Sequence, residues 1–323
     1  MAVAVLMSAI VPTTGHRDLI HFAQRFAALV NQHVVVYIGW RKGEPTEYYQ
    51  RANALQRDMP VGWEAPNFIP VNESGWTPQD AVNHYNTLIR PTDYVVSSEE
   101  YAKELNGISI PYDIDRLNDP VHGTDVRKHL LADFQSVTPS FRKYVGLRVT
   151  LFGQESVGKS TTTLALSRFP HITGRAEFAR PYLEHQPTSG YDLVDMDRIW
   201  MGQKALQEMP LNSPILVQDT DLYSTVGYYD IMGEPVPYGI TLDAEHTKSD
   251  LYIILDPAGA PFTADPLRYG GDHRESSLEF WTERAERWGL NYVVKTATEA
   301  LDQKYLYDAW EAKTKAIREY VRP

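Results

Sequence analysis

Short apolar runs alternate with longer amphipathic stretches along the first 135 residues of the chain. Short runs bounded by turn residues are typical of strands, whereas apolar residues that recur every three or four positions are typical of helices. Strand alternating with helix predicts a parallel sheet covered by helices. The predicted strands are Val3–Met7, Val34–Ile38, Phe68–Val71, Tyr94–Val96 and Ile108–Tyr112, and the predicted helices are Asp18–Val30, Glu47–Arg57, Pro78–Arg90, Glu99–Leu105 and Thr124–Phe134.

The alternation stops over Gln135–Gly146 and then restarts. This segment contains Ser, Thr, Pro and Gly without clear periodicity, so we interpret it as a linker. We therefore expect two α/β domains with parallel sheets, residues 1–138 and 146–323. The elements predicted for the second domain are strands Leu147–Phe152, Ile215–Gln218, Leu251–Leu255 and Tyr292–Val294, a helix at Lys159–Ser167 and a final helix from about Leu301 to Tyr320.

Gly153–Ser160 reads GQESVGKS and fits the phosphate-binding loop pattern G-x-x-x-x-G-K-[ST]. The two glycines let the backbone wrap closely around a phosphate with its N–H groups turned inward. Lys159 would reach the β- and γ-phosphates, and the hydroxyl of Ser160 would bind magnesium. The motif follows a predicted strand and opens a predicted helix, a context that favours function over a chance match. The residues predicted to bind ATP here are Gly153, Glu155, Ser156, Gly158, Lys159, Ser160 and Thr161.

Two carboxylates, Asp219 and Asp221, follow the apolar strand Ile215–Gln218. A phosphate-binding loop needs a carboxylate at the end of a nearby strand to hold the metal ion. Either aspartate alone is equally a helix cap, but the pair behind an apolar strand favours a functional role. We predict Asp219 as a magnesium ligand beside Ser160. The role of accepting a hydroxyl proton stays open between Asp219 and Asp221.

Two further segments carry charges that suit a small-molecule kinase. Arg268 lies in a Gly-rich stretch after the third strand of this half, where such enzymes close an Arg-bearing lid over the transferred phosphoryl group. A solvated loop is the alternative. Glu177 and Arg180 lie between the P-loop helix and Asp219, where these kinases bind the acceptor. Their alternative is an ion pair along one helix face.

The first predicted strand leads into Thr13-Thr14-Gly15-His16. In nucleotidyltransferases the pattern [HT]-x-G-H at such a junction holds ATP. The glycine lets the backbone approach the phosphates, and the histidine donates as charge builds in the transition state. A helix capped by Thr13 with a surface histidine is the alternative. A second helix start, Gly123–Arg127, offers Thr124 and Arg127 to a triphosphate, and two such starts in one half favour phosphate binding.

Composition limits the kinds of partner. The net charge of −11 argues against a broad nucleic-acid interface, so anions must be held by helix amino-termini, a few basic residues and a metal ion. The chain has no cysteine, which excludes disulfides and fits a reducing cytoplasm. Ala2–Val11 is apolar but lacks a basic leader, so we interpret it as a buried strand. No segment is long and apolar enough to span a membrane.

In their order and spacing, these motifs resemble a known family. The first half resembles nicotinamide mononucleotide adenylyltransferases, and the second half resembles the ribosylnicotinamide kinase domain fused to them in NadR-type bifunctional proteins. The similarity runs over nearly the whole chain. Beyond the motifs above, it is carried by Ile69-Pro70-Val71-Asn72 with Trp76, Val96-Ser97-Ser98-Glu99, Asp115-Arg116 and Leu267-Arg268.

The resemblance implies an amino-terminal Rossmann-like nucleotidyltransferase fold and a carboxy-terminal P-loop kinase fold. It implies magnesium, with nicotinamide riboside, nicotinamide mononucleotide and ATP as small-molecule substrates, and it is compatible with self-association. Trp76 would stack on the nicotinamide ring, with a core aromatic as an equal alternative. In the first half, ATP would be bound by Thr13, Gly15, His16, Thr124 and Arg127. The catalytic residues would be His16, Lys159, Asp219, Asp221 and Arg268.

Two departures from the family pattern bear on function. Thr13 stands where this family usually has His, although adenylyltransferases for other substrates use Thr there, so rate and substrate are open. Because the first strand begins at Ala2, we do not expect the repressor domain that some NadR-type proteins carry ahead of the transferase. Two alternatives follow: the same architecture acting on another nucleoside or a pantetheine-like acceptor, or a nucleotide-sensing regulator with one decayed site.

Overall fold

The computed structural model describes residues 1–97, 100–112, 123–185, 192–260, 262 and 276–321. Over these ranges the chain forms two compact units. One comprises Met1–Val145 and the end of the chain from Thr314, and the other comprises Gly146–Lys313. No helix in the described ranges combines the length and the apolar character needed to cross a bilayer.

The first unit has a Rossmann-like parallel sheet. Its elements are β1 (Ala2–Met7), α1 (Thr14–Leu29), β2 (His33–Trp40), α2 (Tyr48–Arg57), β3 (Asn67–Asn72), α3 (Pro78–Leu88), β4 (Tyr94–Ser97), β5 (Ile108–Pro111), α4 (Gly123–Lys128) and α5 (Arg142–Val145). The strand order is β3-β2-β1-β4-β5, and every pairing is parallel. The chain therefore changes direction across the sheet between β1 and β4, where doubly wound sheets bind ligands.

The second unit is also built on a five-stranded parallel sheet, but with a different strand order. Its elements are β6 (Leu147–Phe152), α6 (Lys159–Leu166), β7 (Ile172–Arg175), α7 (Ala179–Glu184), α8 (Leu193–Glu208), β8 (Ile215–Asp219), α9 (Leu222–Met232), α10 (Tyr238–His246), β9 (Leu251–Asp256), α11 (Leu278–Arg287), β10 (Tyr292–Thr296) and α12 (Gln303–Glu319). The order is β10-β9-β6-β8-β7, again parallel throughout. The expected α/β class with two parallel sheets is confirmed.

The central strands are buried on both faces, which explains their continuous apolar sequence. From Val3 to Leu6 every side chain of β1 is at most 5% exposed. Strands covered by helices on both sides need apolar residues at successive positions, not at alternate ones. β8 is also buried at all of its positions although it ends in Gln218 and Asp219. Polar groups buried in this way need partners, and the partners of Asp219 define the site below.

The sequence prediction was wrong for several elements. The helical stretch predicted near Glu99–Leu105 is a short 3-10 helix, Glu100–Glu104, and the helix predicted at Thr124–Phe134 ends at Lys128. β7 and the helices α7 to α11 were not predicted. β7 is only four residues long and contains Gly174, so it has no apolar run. α9 has no exposed residue, and all six positions from Leu222 to Gly227 are buried, so it lacks the amphipathic pattern that marks a surface helix.

Gln135–Gly146 is packed structure, so the linker interpretation is wrong. Val137, Phe141 and Val145 are fully buried. The backbone N–H and the hydroxyl of Ser140 donate to Asp58 at 3.1 and 2.6 Å. The segment forms two short 3-10 helices and the short α5. In elements this short the buried residues do not recur at a regular spacing, so the sequence gives no sign that they are buried.

The second unit begins at Gly146, the predicted start of the second domain, but two stretches belong to the first unit instead of a linker or the second domain. The first unit extends beyond residue 138 to Val145, and the last turns of α12, from Thr314, belong to it as well. Thr314 and Ile317 are buried there. Because α12 is one continuous helix, the sequence shows no change in composition at Thr314, where the helix passes from the second unit to the first.

Phe141→Ala should destabilise the first unit by about 3–5 kcal/mol, because it removes a fully buried aromatic side chain and leaves a cavity. The second unit should keep its stability, since Phe141 lies outside it. Calorimetry of the 323-residue protein would measure both unfolding transitions. Lys143→Ala, an exposed position in the same segment, is the matched control and should shift neither transition. An unchanged first transition in Phe141→Ala would support the linker interpretation after all.

Candidate functional site

The loop between β6 and α6 has the backbone conformation that phosphate binding requires. Gly153 and Gly158 adopt φ angles of 119° and 91°, a region that side chains disfavour. A Cβ at Gly153 would also lie 3.3 Å from the carbonyl oxygen of Leu255. Gly158 is the N-cap of α6, so the free N–H groups and the positive end of the helix dipole lie at this loop.

The side chain of Lys159 lies across the same loop. Its ammonium group donates to the carbonyl oxygens of Gly153 and Gln154, at 2.9 and 2.7 Å. These partners are neutral, and charge-assisted bonds to phosphate oxygens are stronger. Lys159 is therefore held at the loop by contacts that a bound phosphate can replace.

Ser160, in the first turn of α6, meets Asp219 at the end of β8. The pairing of β6 with β8 sets Leu151 level with Asp219. The hydroxyl of Ser160 donates to Oδ2 of Asp219 at 2.5 Å. Asp219 is 2% exposed, and among the described residues its Oδ1 has no hydrogen-bond partner. A buried carboxylate oxygen of this kind is costly without a cation, and hydroxyl and carboxylate oxygens suit Mg²⁺. The two residues fit a magnesium ion.

Asp221 does not line the cleft, and the catalytic role that the sequence left open for it is not supported. Its carboxylate caps α9 by accepting from the backbone N–H groups of Tyr223 and Ser224, at 3.0 and 3.3 Å. It also accepts from the hydroxyl of Tyr252 at 2.7 Å. Burial raises the pKa of Asp221 to about 6. Of the two aspartates, Asp219 faces the site and Asp221 is a buried helix cap.

A cleft of about 710 Å³ opens over the P-loop. Loops after β9 and β10 line it, including Gly259 and Ala297. The helices α6, α7, α8 and α9 also contribute residues to its lining. The carboxyl ends of parallel strands meet at one edge of a sheet, so segments far apart in sequence converge here. The volume falls in the usual range for a small-molecule site.

Glu177 and Arg180 both line this cleft. Nε of Arg180 lies 4.0 Å from Oε1 of Glu177, and its Nη1 lies 3.6 Å from Glu184. These side chains are partly exposed, so the ion pairs contribute little stability. Glu177 and Arg180 therefore form the ion pair that was the alternative interpretation, and they also lie in the cleft, as the functional interpretation requires.

Sequence analysis missed Tyr228, which α9 brings to the cleft. Its hydroxyl donates to Oε1 of Glu155 at 2.9 Å, and Glu155 itself is 3% exposed. No spacing or motif distinguishes Tyr228 from the other aromatic residues of α9. The available signal was topological: a helix that follows Asp219 must start at the edge of the sheet where the P-loop lies.

In the first unit, Thr13 and His16 are linked at the start of α1. The backbone N–H of Thr13 donates to Nδ1 of His16 at 3.1 Å, and the Thr13 hydroxyl lies 2.7 Å from the same atom. Because Nδ1 accepts this N–H, the neutral ring carries its proton on Nε2. Burial lowers the pKa of His16 to about 4, so the ring is neutral at pH 7. Thr13 is the N-cap of α1, as the alternative interpretation predicted, and its contacts with Nδ1 also hold the His16 ring in place.

The two predicted phosphate-binding helix starts lie side by side. A Cβ at Gly123 would be 3.0 Å from Cε1 and 3.7 Å from Nε2 of His16. Gly15 and Thr124, the neighbours of these two residues in sequence, are exposed. Arg127 is only 7% exposed, and its guanidinium lies 5.6 Å from the centre of the Tyr320 ring. Arg127 is therefore engaged in packing in this structure.

Trp76 follows β3 and is half-buried. It packs against the core cluster that contains Val71 and Tyr85, and its ring centre lies 4.7 Å from that of His84. The core interpretation is met in part, and stacking on nicotinamide stays a prediction. The predicted lid residues Leu267-Arg268, and the segments Asp115-Arg116 and Ser98-Glu99, lie outside the described residues.

Comparison with known proteins agrees with this architecture. Residues 148–300 match the AAA domain family. A crystal structure of NadR protein in complex with NR matches with a TM-score of 0.60 and 20% identity, over 99% of this chain and 97% of that one. A crystal structure of NadR protein in complex with NAD and AMP-PNP matches with a TM-score of 0.59 and 19% identity, over 100% and 98%. No curated protein matches the sequence.

The fold and the cleft together define a two-domain α/β protein with a P-loop nucleotide site in its second unit. Over nearly its whole length, this is the fold of the NadR protein structures. At 19–20% identity the likeness is one of fold.

Asp221 makes the stability of the second unit depend on pH. Its pKa rises from 3.8 to about 6, so between these values the folded unit holds a proton that the unfolded chain has released. This contribution is complete below about pH 4 and is lost as the pH rises through about 6. Asp221→Asn removes the titration, so urea unfolding between those values should depend less on pH, by at most about 3 kcal/mol.

The control for this experiment is Asp302→Asn, an exposed carboxylate that accepts from the backbone N–H of Lys304 at 3.1 Å at the start of α12. It should keep the pH dependence of the unaltered protein. If Asp221→Asn behaved like this control, the Asp221 carboxyl would not be the buried titrating group.

Proposed function

We propose that this chain is a bifunctional enzyme of NAD salvage. The second unit phosphorylates the 5′-hydroxyl of nicotinamide riboside with ATP, and the first unit adenylylates the resulting mononucleotide to NAD. The proposal rests on one observation, the presence in a single chain of two phosphate-type sites: the P-loop with its Ser160–Asp219 contact, and the helix starts that meet at His16 and Gly123. Support comes from the NadR structures, which hold NR in one case and NAD with AMP-PNP in the other.

In the kinase step, the chain positions two reactants and stabilises charge. Phosphoryl transfer needs little covalent chemistry from the protein, so these two effects are sufficient. The loop N–H groups cradle the phosphates, and the ammonium of Lys159 follows the transferred phosphoryl group. Ser160 and Asp219 would hold magnesium, which would supply positive charge to offset the charge of the phosphates. Glu177 and Arg180 line the cleft, and in this proposal they bind the acceptor.

In the transferase step, a phosphate oxygen of nicotinamide mononucleotide attacks the α-phosphorus of ATP. The new P–O bond forms as the bond between the α-phosphorus and the bridging oxygen breaks, and pyrophosphate leaves. No protein nucleophile is required. His16 is neutral with its proton on Nε2, and it donates this N–H to the phosphate as charge develops. Thr13 orients the ring through Nδ1, which gives the unusual residue of this motif a positioning role.

The two sites should fail independently. Lys159→Ala should lower riboside phosphorylation by several orders of magnitude and leave adenylyl transfer unchanged, because that reaction uses a different ATP. His16→Ala should lower adenylyl transfer about 10²- to 10³-fold, the usual cost of losing one transition-state donor, and spare the kinase. Separate assays of each half-reaction would measure both effects. Mixing the two variants should restore the route from riboside to NAD through released mononucleotide.

Matched controls exist on each unit. His33 is an exposed histidine at the start of β2, and Lys304 is 79% exposed on α12. His33→Ala and Lys304→Ala should retain both activities. Intact adenylyl transfer in His16→Ala would remove the assignment of the first unit and leave a P-loop kinase with an unexplained domain.

Trp76→Ala should raise the KM for nicotinamide mononucleotide roughly tenfold or more, because stacking on a base-like ring contributes about 1–3 kcal/mol. The KM for ATP should stay the same. Steady-state kinetics with each substrate varied in turn would measure this difference. Trp63→Ala, a tryptophan that is 38% exposed in the same unit, serves as the control. Equal losses for both substrates, together with a lower melting temperature, would assign Trp76 to the core alone.

A further inference from the structure

A tyrosine that follows α12 contacts a basic residue of the phosphate site proposed for the first unit. Tyr320 lies directly after the last residue of α12 and belongs, like Arg127, to the first unit. The Arg127 guanidinium lies over the Tyr320 ring, 5.6 Å from the ring centre. The contact joins distant parts of the chain, so no local motif reveals it.

Arg127 lies on the face of α4 that is directed towards His16. Gly123 and Arg127 are four positions apart, so they share one face of the helix. A Cβ at Gly123 would lie 3.0 Å from Cε1 of His16, which shows where that face points. This position suits an arginine that binds the phosphates of the same ATP molecule as His16.

Contact with an aromatic ring leaves an arginine able to bind phosphate. The five N–H donors of a guanidinium lie in its plane, and a ring stacked on its face uses none of them. Arg127 is only 7% exposed, and the attraction between a cation and a ring is stronger where water is excluded. A side chain that is already held in place also loses less conformational entropy when it binds a ligand.

We propose that Tyr320 is a positioning residue for adenylyl transfer, because its ring holds the Arg127 guanidinium ready for the triphosphate of ATP. This inference rests on the proposed transferase function and goes beyond it by adding a residue that lies outside both helix starts. Negative charge builds on the departing pyrophosphate as its bond to the α-phosphorus breaks. A guanidinium fixed in advance stabilises that charge without rearranging. Loss of the ring therefore lowers kcat more than it raises the KM for ATP.

The test measures the steady-state kinetics of adenylyl transfer by the 323-residue protein and its variants. Tyr320→Leu should lower kcat about 3- to 30-fold, the range expected for losing a partly or fully desolvated contact between a cation and a ring. Tyr320→Phe keeps the ring and should retain most of the rate. Pentafluorophenylalanine in place of Tyr320 keeps the ring shape but reverses the charge of the ring face, so it should behave like the leucine variant.

A double-mutant cycle separates positioning from a general effect on the fold. If the ring acts through the guanidinium, Tyr320→Leu should have little further effect in a protein that already carries Arg127→Ala. Riboside phosphorylation should stay unchanged in both variants. Tyr305→Leu is the matched control: this ring lies on the same helix, with its centre 4.4 Å from the ammonium of Lys295 in the second unit. It should retain full adenylyl transfer.

An unaltered kcat in Tyr320→Leu, or losses that simply add in the double variant, would overturn this inference and leave the proposed function intact. If the leucine variant fails to fold, the phenylalanine and pentafluorophenylalanine variants decide the question, because they share one shape. Equal rates in these two would then overturn the inference. Failure of the unaltered protein to adenylylate nicotinamide mononucleotide would instead overturn the proposed function, and this inference with it.

Discussion

Backbone N–H groups gathered at the carboxyl edge of a parallel sheet are what enable this acidic chain to hold phosphates. With a net charge of −11, the molecule as a whole repels anions. A parallel sheet brings the ends of its strands, and the starts of the helices that follow them, to one edge, so their dipoles act together. Both units have helix starts at this edge, and we propose that both use them to bind phosphate. In one unit the P-loop glycines open α6, and in the other the starts of α1 and α4 meet at His16.

Buried polar contacts hold the loops and helix starts at those edges in fixed positions. Arg51 is fully buried and forms an ion pair with Glu44, and it donates to the carbonyl oxygen of Ser8 and the hydroxyl of Thr46, each at 3.0 Å. It thereby fixes the loop that leads from β1 to the start of α1. Asp221 does the same for α9 in the second unit. Breaking one partner of such a buried pair costs several kcal/mol, about 3–5 in typical cases, so these residues constrain the sites without touching a ligand.

Features of the fold and site that depend on neighbouring residues in the sequence could be predicted, whereas features that depend on contacts between distant residues could not. The P-loop is a local motif, and the apolar runs of the central strands are local too, so both were predicted correctly. The role of Asp221 depends on Tyr252, thirty-one positions away in the chain, and could not be separated from that of Asp219 by spacing. Phe141 was assigned to a linker because irregular turns bury residues without a period, and Tyr228 lies on a helix that has no amphipathic face.

The most direct test of the account follows the two phosphorus atoms of the product. The unaltered protein is incubated with nicotinamide riboside, magnesium and ATP labelled in separate reactions at the γ- or the α-phosphate, and NAD is analysed by mass spectrometry. Both labels should enter NAD in equal amounts, the γ label through the kinase step and the α label through the transferase step. Binding of ATP and riboside without any labelled mononucleotide or NAD would contradict it.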